Sequence, residues 1–233
     1  MADNKLKNIK KYPIFKAILN DRPKTLKELV KMGASLNDTD IYGRTPLMYA
    51  IIHKKQDMVE TLINAGADMN IKDKKSNWTA LDYAIYTRQE DIAEMMIQAG
   101  FDVHTRSGIY QWTPLMRASA SGLEKTVRCL LDHKANINAT DDTMNETALM
   151  CAVYTKRTDI VKLLIEAGAK MDIRNRAGRC VVDIAYDLSR NTYEEDVKII
   201  YRLCVDAALK AIHRPKESFF NKLFKHKSRQ NEG

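Results

Sequence analysis

No apolar run in this 233-residue chain approaches the roughly 18 residues that would span a bilayer. The opening stretch, MADNKLKNIKKYPIF, is charged and lacks the apolar core of a secretory signal. The expected compartment is therefore the cytoplasm, with delivery into a host cell by a route without a cleavable signal left open. The four cysteines (Cys129, Cys151, Cys180 and Cys204) form no CxxC pair and no metal-like cluster with histidine. They are expected to be buried, reduced thiols, because a free cysteine packs as a small hydrophobe. The five histidines are scattered. The nucleotide-binding and zinc-protease patterns GxxxxGK[ST], GxGxxG and HExxH are all missing. With no nucleophile–base pair or paired carboxylates either, no enzyme activity, metal or cofactor is expected.

Glycine and proline are scarce, at nine and five, yet they fall in register. The segments Thr45-Pro46-Leu47, Thr79-Ala80-Leu81, Thr113-Pro114-Leu115 and Thr147-Ala148-Leu149 recur at one constant interval. A second marker keeps the same phase: Ala65-Gly66-Ala67-Asp68, Ala99-Gly100-Phe101-Asp102 and Ala167-Gly168-Ala169-Lys170. The copy between the last two reads His133-Lys134-Ala135-Asn136 and has lost its glycine. Fainter copies begin at Tyr12-Pro13-Ile14, close to one interval before Thr45, and at Cys180-Val181-Val182, close to one interval after Thr147. Two independent markers that hold one period through the body of the chain define a repeat protein.

The pattern resembles the ankyrin repeat, with its period of about 33 residues and its T-P-L-H-x-A opening. The resemblance implies an all-α ankyrin-repeat solenoid, made of stacked helix-turn-helix units with projecting β-hairpin-like loops. It covers roughly residues 10–209, within a domain of residues 1–209, as about six repeats (10–42, 43–76, 77–110, 111–144, 145–177 and 178–209), the first and last degenerate caps. The residues agree with that reading. Threonine can cap a helix start, and proline is tolerated in the first turn. Met58, Val59, Leu62 and Ile63 recur at helical spacing, as do Ile160, Val161, Leu164 and Ile165. Gly66, Gly100 and Gly168 stand where a helix ends in a left-handed residue. One such pair cannot bury its own apolar side, so stacking is obligatory. The motif's His position holds Phe15, Met48, Asp82, Met116, Met150 and Asp183 instead, so the side-chain bond usual there must be replaced or absent.

Proteins of this kind grip partners with the loop tips and the inner helices of a concave wall. Carried over position by position, the candidate partner-binding residues are Tyr42, Arg44, Trp78, Tyr110, Trp112 and Met144 on the tips. Tyr86, Arg117 and Tyr154 join them on the inner helices. Trp, Tyr and Arg are the residue types enriched at interface hot spots. Tyr49 and Tyr83 are read as filling core between repeats, whereas Trp78 and Trp112 could serve packing or partner equally. Arg117 could pair with Asp82 across the repeat interface or face the groove.

The net charge of +8 invites a nucleic-acid partner, but its distribution argues against one. Residues 1–43 carry +4, residues 210–233 carry +5, and everything between sums to −1. The expected partner is a protein, bound by a monomeric, non-enzymatic scaffold or adaptor. Residues 210–233 read as a separate basic amphipathic tail in which Phe219, Phe220, Leu223 and Phe224 share one side of a helix. Either that side covers the last repeat, or it contacts an anionic membrane or a partner. The second possibility gives an alternative function, a membrane-associated adaptor or secreted bacterial effector localised by its tail.

Overall fold

The computed structural model describes residues 13–190 and 193–213. Twelve helices follow one another there as six pairs: α1 (Pro13–Leu19) and α2 (Pro23–Lys31), α3 (Pro46–Ile52) and α4 (Gln56–Asn64), α5 (Ala80–Tyr86) and α6 (Glu90–Gln98). The remaining three are α7 (Pro114–Ser121) with α8 (Glu124–Asp132), α9 (Ala148–Tyr154) with α10 (Thr158–Glu166), and α11 (Val181–Arg190) with α12 (Glu195–His213). The all-α solenoid expected from the repeat is thus observed. Its loops are less sheet-like than β-hairpins: among the described residues there is no strand, only the isolated bridges Ser107–Trp112 and Thr140–Thr147. The loop turns too tightly for a ladder to extend.

The helix starts follow from the threonines. Thr45, Thr79, Thr113 and Thr147 adopt extended backbone, and each hydroxyl oxygen accepts the N–H three residues on at 3.3 Å. The missing histidine is replaced twice by aspartate. Asp82 Oδ2 accepts the Thr79 N–H at 2.7 Å and its hydroxyl at 2.8 Å, completing a capping box. Asp183 accepts the Cys180 N–H at 2.9 Å.

Packing repeats with the sequence. The first helices of successive pairs stack on one another from α1 to α11, and the second helices do so from α2 to α12. Leu47, Leu81, Leu115 and Leu149 form one buried column, and Ala50, Ala84, Ala118 and Ala152 another. The alanine column lets the first helices approach closely. They are buried on nearly every side because neighbours, second helices and loops all surround them. The second helices bury one stripe, typified by Leu62, Met96, Leu130 and Leu164.

Three left-handed positions recur in each full repeat, with φ between 54° and 93°, and Gly108 adds a fourth in one loop at φ 73°. One follows the first helix (Lys54, Arg88, Gly122, Lys156), one follows the second (Gly66, Gly100, Lys134, Gly168), and one sits in the loop (Gly43, Asn77, Gln111, Asn145). Lys134 therefore performs the turn of the lost glycine, at φ 66°. Successive loops are joined through backbone: the N–H groups of Lys74, Gly108 and Arg176 donate to the carbonyls of Tyr42, Asn77 and Met144 at 2.7, 2.8 and 2.8 Å. Among the described residues no such bond links the loop of the third pair to that of the fourth, where Arg106 bridges to Asp142 at 3.1 Å.

This stitching makes loop glycines unequal. A Cβ on Gly43 would lie 2.8 Å from the backbone nitrogen of Lys74, whereas one on Gly66 would meet nothing within 4 Å. Gly66→Ala should cost about 1–2 kcal/mol, the left-handed penalty alone. Gly43→Ala should cost roughly 1–3 kcal/mol more, because backbone must shift. Urea midpoints of the two variants check the order; equal midpoints would show that the loop contact is slack.

Candidate functional site

The face carrying the candidate residues is built on buried polar groups at the loop starts. Asp40, Asp73, Asp141 and Asn175 occupy one repeat position and are all buried. Asp40 Oδ1 accepts the N–H groups of Tyr42 and Arg44, both at 2.8 Å. Asp73 takes those of Lys75, Ser76 and Trp78. Asp141 takes those of Thr143, Met144 and Glu146 at 2.7, 2.6 and 2.9 Å. Asn175 takes those of Ala177 and Arg179. Each side chain folds its loop around one acceptor, as short polar side chains do in turns. Burial alone would raise the Asp141 carboxyl, but the bonds from Met144, Thr143 and Glu146 hold it below the usual carboxylate range. Sequence reasoning missed this row, although its regular spacing was available.

On that base stand two further columns, the residue before each threonine and the residue four after it. Arg44 bonds Asp40 Oδ2 through two nitrogens, at 3.0 and 2.8 Å, and lies 4.7 Å from the Tyr49 ring centroid. The Tyr49 hydroxyl donates to the same oxygen at 3.0 Å. The Tyr83 hydroxyl reaches Asp73 at 3.2 Å, and Trp78 packs edge-on against Tyr83 at 5.4 Å. Burial pushes the Tyr49 phenol up to about 12, against the opposing pull of Arg44, and raises that of Tyr83 too. Both tyrosines are therefore structural, as expected.

Arg117 takes the first of the two roles the sequence left open, the pair with Asp82, and its side chain is only 14% exposed. Its Nε donates to Asp82 Oδ1 at 2.6 Å across the repeat interface, with Asp82 only 2% exposed. Its guanidinium also lies 5.0 Å from the Trp78 ring centroid and 5.8 Å from that of Trp112. The two tryptophans thus flank a cation belonging to the protein itself. Both are half-buried, and Trp78 also packs on Tyr86 at 5.2 Å. Removing both would disturb repeat packing as well as the surface.

The exposed part of the face lies beside them. Tyr86 is 68% exposed, Ile109 76%, Tyr110 52% and Met144 46%. Tyr42 and Tyr154 are half-buried. Tyr110, Trp112, Met144, Glu146, Cys151 and Tyr154 line a cleft of about 290 Å³ where the third and fourth loops are not stitched. The tail residues Phe219, Phe220, Leu223 and Phe224 lie outside the described residues. Cys151 and Cys204 are buried free thiols as expected, whereas Cys129 and Cys180 are only partly covered; burial raises the thiols of Cys129 and Cys151 and pushes that of Cys204 up to about 12. Among the described residues no group of His, Cys, Asp and Glu is placed to hold a metal ion, and no helix is long and apolar enough to cross a membrane.

Stacked helix pairs, loops folded on buried acceptors and an aromatic face define a repeat solenoid of the binding type. The model of the family described as "Ankyrin repeats (3 copies)" matches residues 14–107 and 102–175. The chain belongs to the ankyrin-repeat family. Ankyrin repeats are protein–protein interaction modules. Human neurogenic locus notch homolog protein 1 is 30% identical over 156 residues, which is 66% of this chain and 6% of that protein. The chain thus corresponds to a small part of its Notch relatives. Among solved structures, the ankyrin repeat protein EF0377 aligns with a TM-score of 0.73 at 24% identity, covering 83% of this chain and 96% of that one. A chain from the complex of the predatory endopeptidase Bd0816 of Bdellovibrio bacteriovorus with immunity protein Bd3460 aligns with a TM-score of 0.69 at 26% identity, over 82% and 97%.

Two outcomes are expected. Arg117→Ala strands the buried Asp82 carboxylate and should destabilise the chain by about 3–5 kcal/mol in urea unfolding; a loss below about 1 kcal/mol would mean the pair holds nothing. Asp141→Asn keeps one acceptor, as Asn175 does, but loses the charge. Because the Asp141 carboxyl is lowered on folding, its stabilisation is complete above the unfolded value of about 3.9 and fades as pH falls through the folded one. The gap in urea midpoint between wild type and Asp141→Asn should therefore narrow below about pH 4. A gap that is constant from neutral pH to about pH 3 would refute this.

Proposed function

We propose that the chain is a non-enzymatic scaffold or adaptor that binds a protein partner on the concave face and loop tips formed by the first helices and their loops. The observation that carries this reading is the run of exposed Tyr86, Ile109, Tyr110 and Met144 along one side of the stack. Apolar side chains gathered on one face mark interaction surfaces, whereas singly scattered ones mean nothing. Tyr42, Arg44, Trp78, Trp112, Arg117 and Tyr154 supply the polar and half-buried surround. Two cations of the face are already neutralised, Arg44 by Asp40 and Arg117 by Asp82, and residues 44–209 together carry only −1. That favours a protein over a phosphate backbone, which would need free positive charge. The similarity to a chain from an endopeptidase–immunity protein complex agrees with capture of a folded protein.

The test uses exposed positions, so that folding stays out of the result. Tyr86→Ala, Tyr110→Ala and Met144→Ala together should change stability little, by about 0.5 kcal/mol per site. Proteins captured by the full chain from extract of its own cells should fall at least tenfold, roughly 1.4 kcal/mol of binding. Undiminished capture by a variant with native circular dichroism would overturn the assignment of this face.

A further inference from the structure

Tyr49, Tyr83, Arg117 and Cys151 occupy one place in the repeat, each four positions after the capping threonine. The first three are long enough to reach their own loop: Tyr49 to Asp40 at 3.0 Å, Tyr83 to Asp73 at 3.2 Å, and Arg117 to Ser107 at 3.4 Å. Cys151 is not. The space its neighbours fill is left open here, as the cleft of about 290 Å³ between Trp112 and Tyr154. At about 30 Å³ per water, that is room for a long side chain.

The lining states what kind. Tyr110 and Trp112 lie with ring centroids 5.9 Å apart and form one wall, with Met144 beside them. Glu146 takes the place held by Arg44, Trp78 and Trp112 in earlier repeats, so a carboxylate faces aromatic surface. Burial raises its carboxyl above the ordinary value, and bonds from Tyr154 and Asn175 do not restore it. The Tyr154 phenol and Cys151 thiol are raised as well, first by burial and then by Glu146. The cleft thus joins aromatic surface to a carboxylate. The cation nearby, Arg179, is engaged by Asp187 at 3.2 Å. One repeat earlier the protein itself completes such an arrangement, with Arg117 between two indoles and bonded to a carboxylate.

We infer that this cleft receives a basic side chain, lysine or arginine, presented by the protein partner, with its stem on Trp112, Tyr110 and Met144 and its charge on Glu146. The inference rests on reading this face as a protein-binding surface, but its test does not need the partner. Aromatic faces and a partly desolvated carboxylate each attract a cation, and neither favours a neutral isostere.

The probes are Nα-acetyl-arginine amide and Nα-acetyl-lysine amide, against their neutral counterparts Nα-acetyl-citrulline amide and Nα-acetyl-norleucine amide. Titrated into the ¹⁵N-labelled full chain, the basic probes should shift the Trp112 indole N–H saturably, at millimolar concentration, and the neutral ones should not. Glu146→Gln should weaken the basic probes about tenfold. Cys151→Tyr, which installs the side chain used at this place in the second and third repeats, should abolish the shift; Glu146→Gln decides the matter if that variant does not fold. Equal shifts from citrulline and arginine derivatives, or unchanged titration of Glu146→Gln, would overturn the inference. If capture of partners is lost with the triple alanine variant while the probes show no charge preference, the face stands and the basic-residue cleft falls. If the probes titrate as expected but capture survives the triple variant, the cleft binds cations without being the partner's site, and the inference falls together with the face.

Discussion

A single helix pair of this chain cannot cover its own apolar surface. Leu47 and Ala50 are buried on a helix that packs on the next pair as well as on its own second helix, and the same holds for Leu81 with Ala84 and for each pair up to Leu149 with Ala152. Burial at roughly 25 cal/mol per Å² is then available only between neighbours, and the structure propagates by nearest contact. The side-chain bonds between repeats obey the same rule. Asn37 accepts from Asp68, Asn138 from Lys170, and Gln89 donates to the carbonyl of Ile51, each spanning one repeat and no more. Everything else in the fold serves to return the chain to the same pose once per repeat.

The return is made in the loops, and there the costs concentrate. Left-handed residues turn the chain three times at each junction, and many of them are not glycine. Lys, Arg and Gln in that conformation are strained and persist where surroundings over-determine them. At the helix ends these are backbone bonds, such as Lys55 N–H to the Ala50 carbonyl and Ala135 N–H to that of Leu130; in the loops of Asn77 and Asn145 they are the buried acceptors Asp73 and Asp141, which each gather three N–H groups. A carboxylate with several N–H donors holds its loop firmly enough that the residues on the tip keep fixed positions.

Period and punctuation made the solenoid, its six helix pairs and its threonine caps legible in the chain alone. Lys134 and the other left-handed lysines and arginines were not legible, because nothing in their side chains announces a positive φ. They follow from turn closure, which is a property of the whole repeat. The loop acceptors were spaced visibly, but an aspartate in a loop reads as solvated until burial is known. Trp78 was placed correctly at a partly covered tip. Its second role, as one side of the Arg117 site, depended on a contact between residues in different repeats. Tail residues such as Phe219 remain expectations from composition.

A rigid frame changes what a substitution means. In an irregular fold a cysteine in place of arginine is absorbed by local repacking. Here the column that runs Tyr49, Tyr83, Arg117 and Cys151 ends in a side chain too short to reach its loop, and a cleft of about 290 Å³ stands beside it. A shorter side chain therefore leaves a cleft, and the residue in register with Trp78 and Trp112 supplies its chemistry. Because that residue is Glu146, a vacancy with indole and phenol walls acquires a negative end. Divergence between repeats, read column by column, is thus where the chemistry of the face can differ, while the leucine and alanine columns are kept alike by packing.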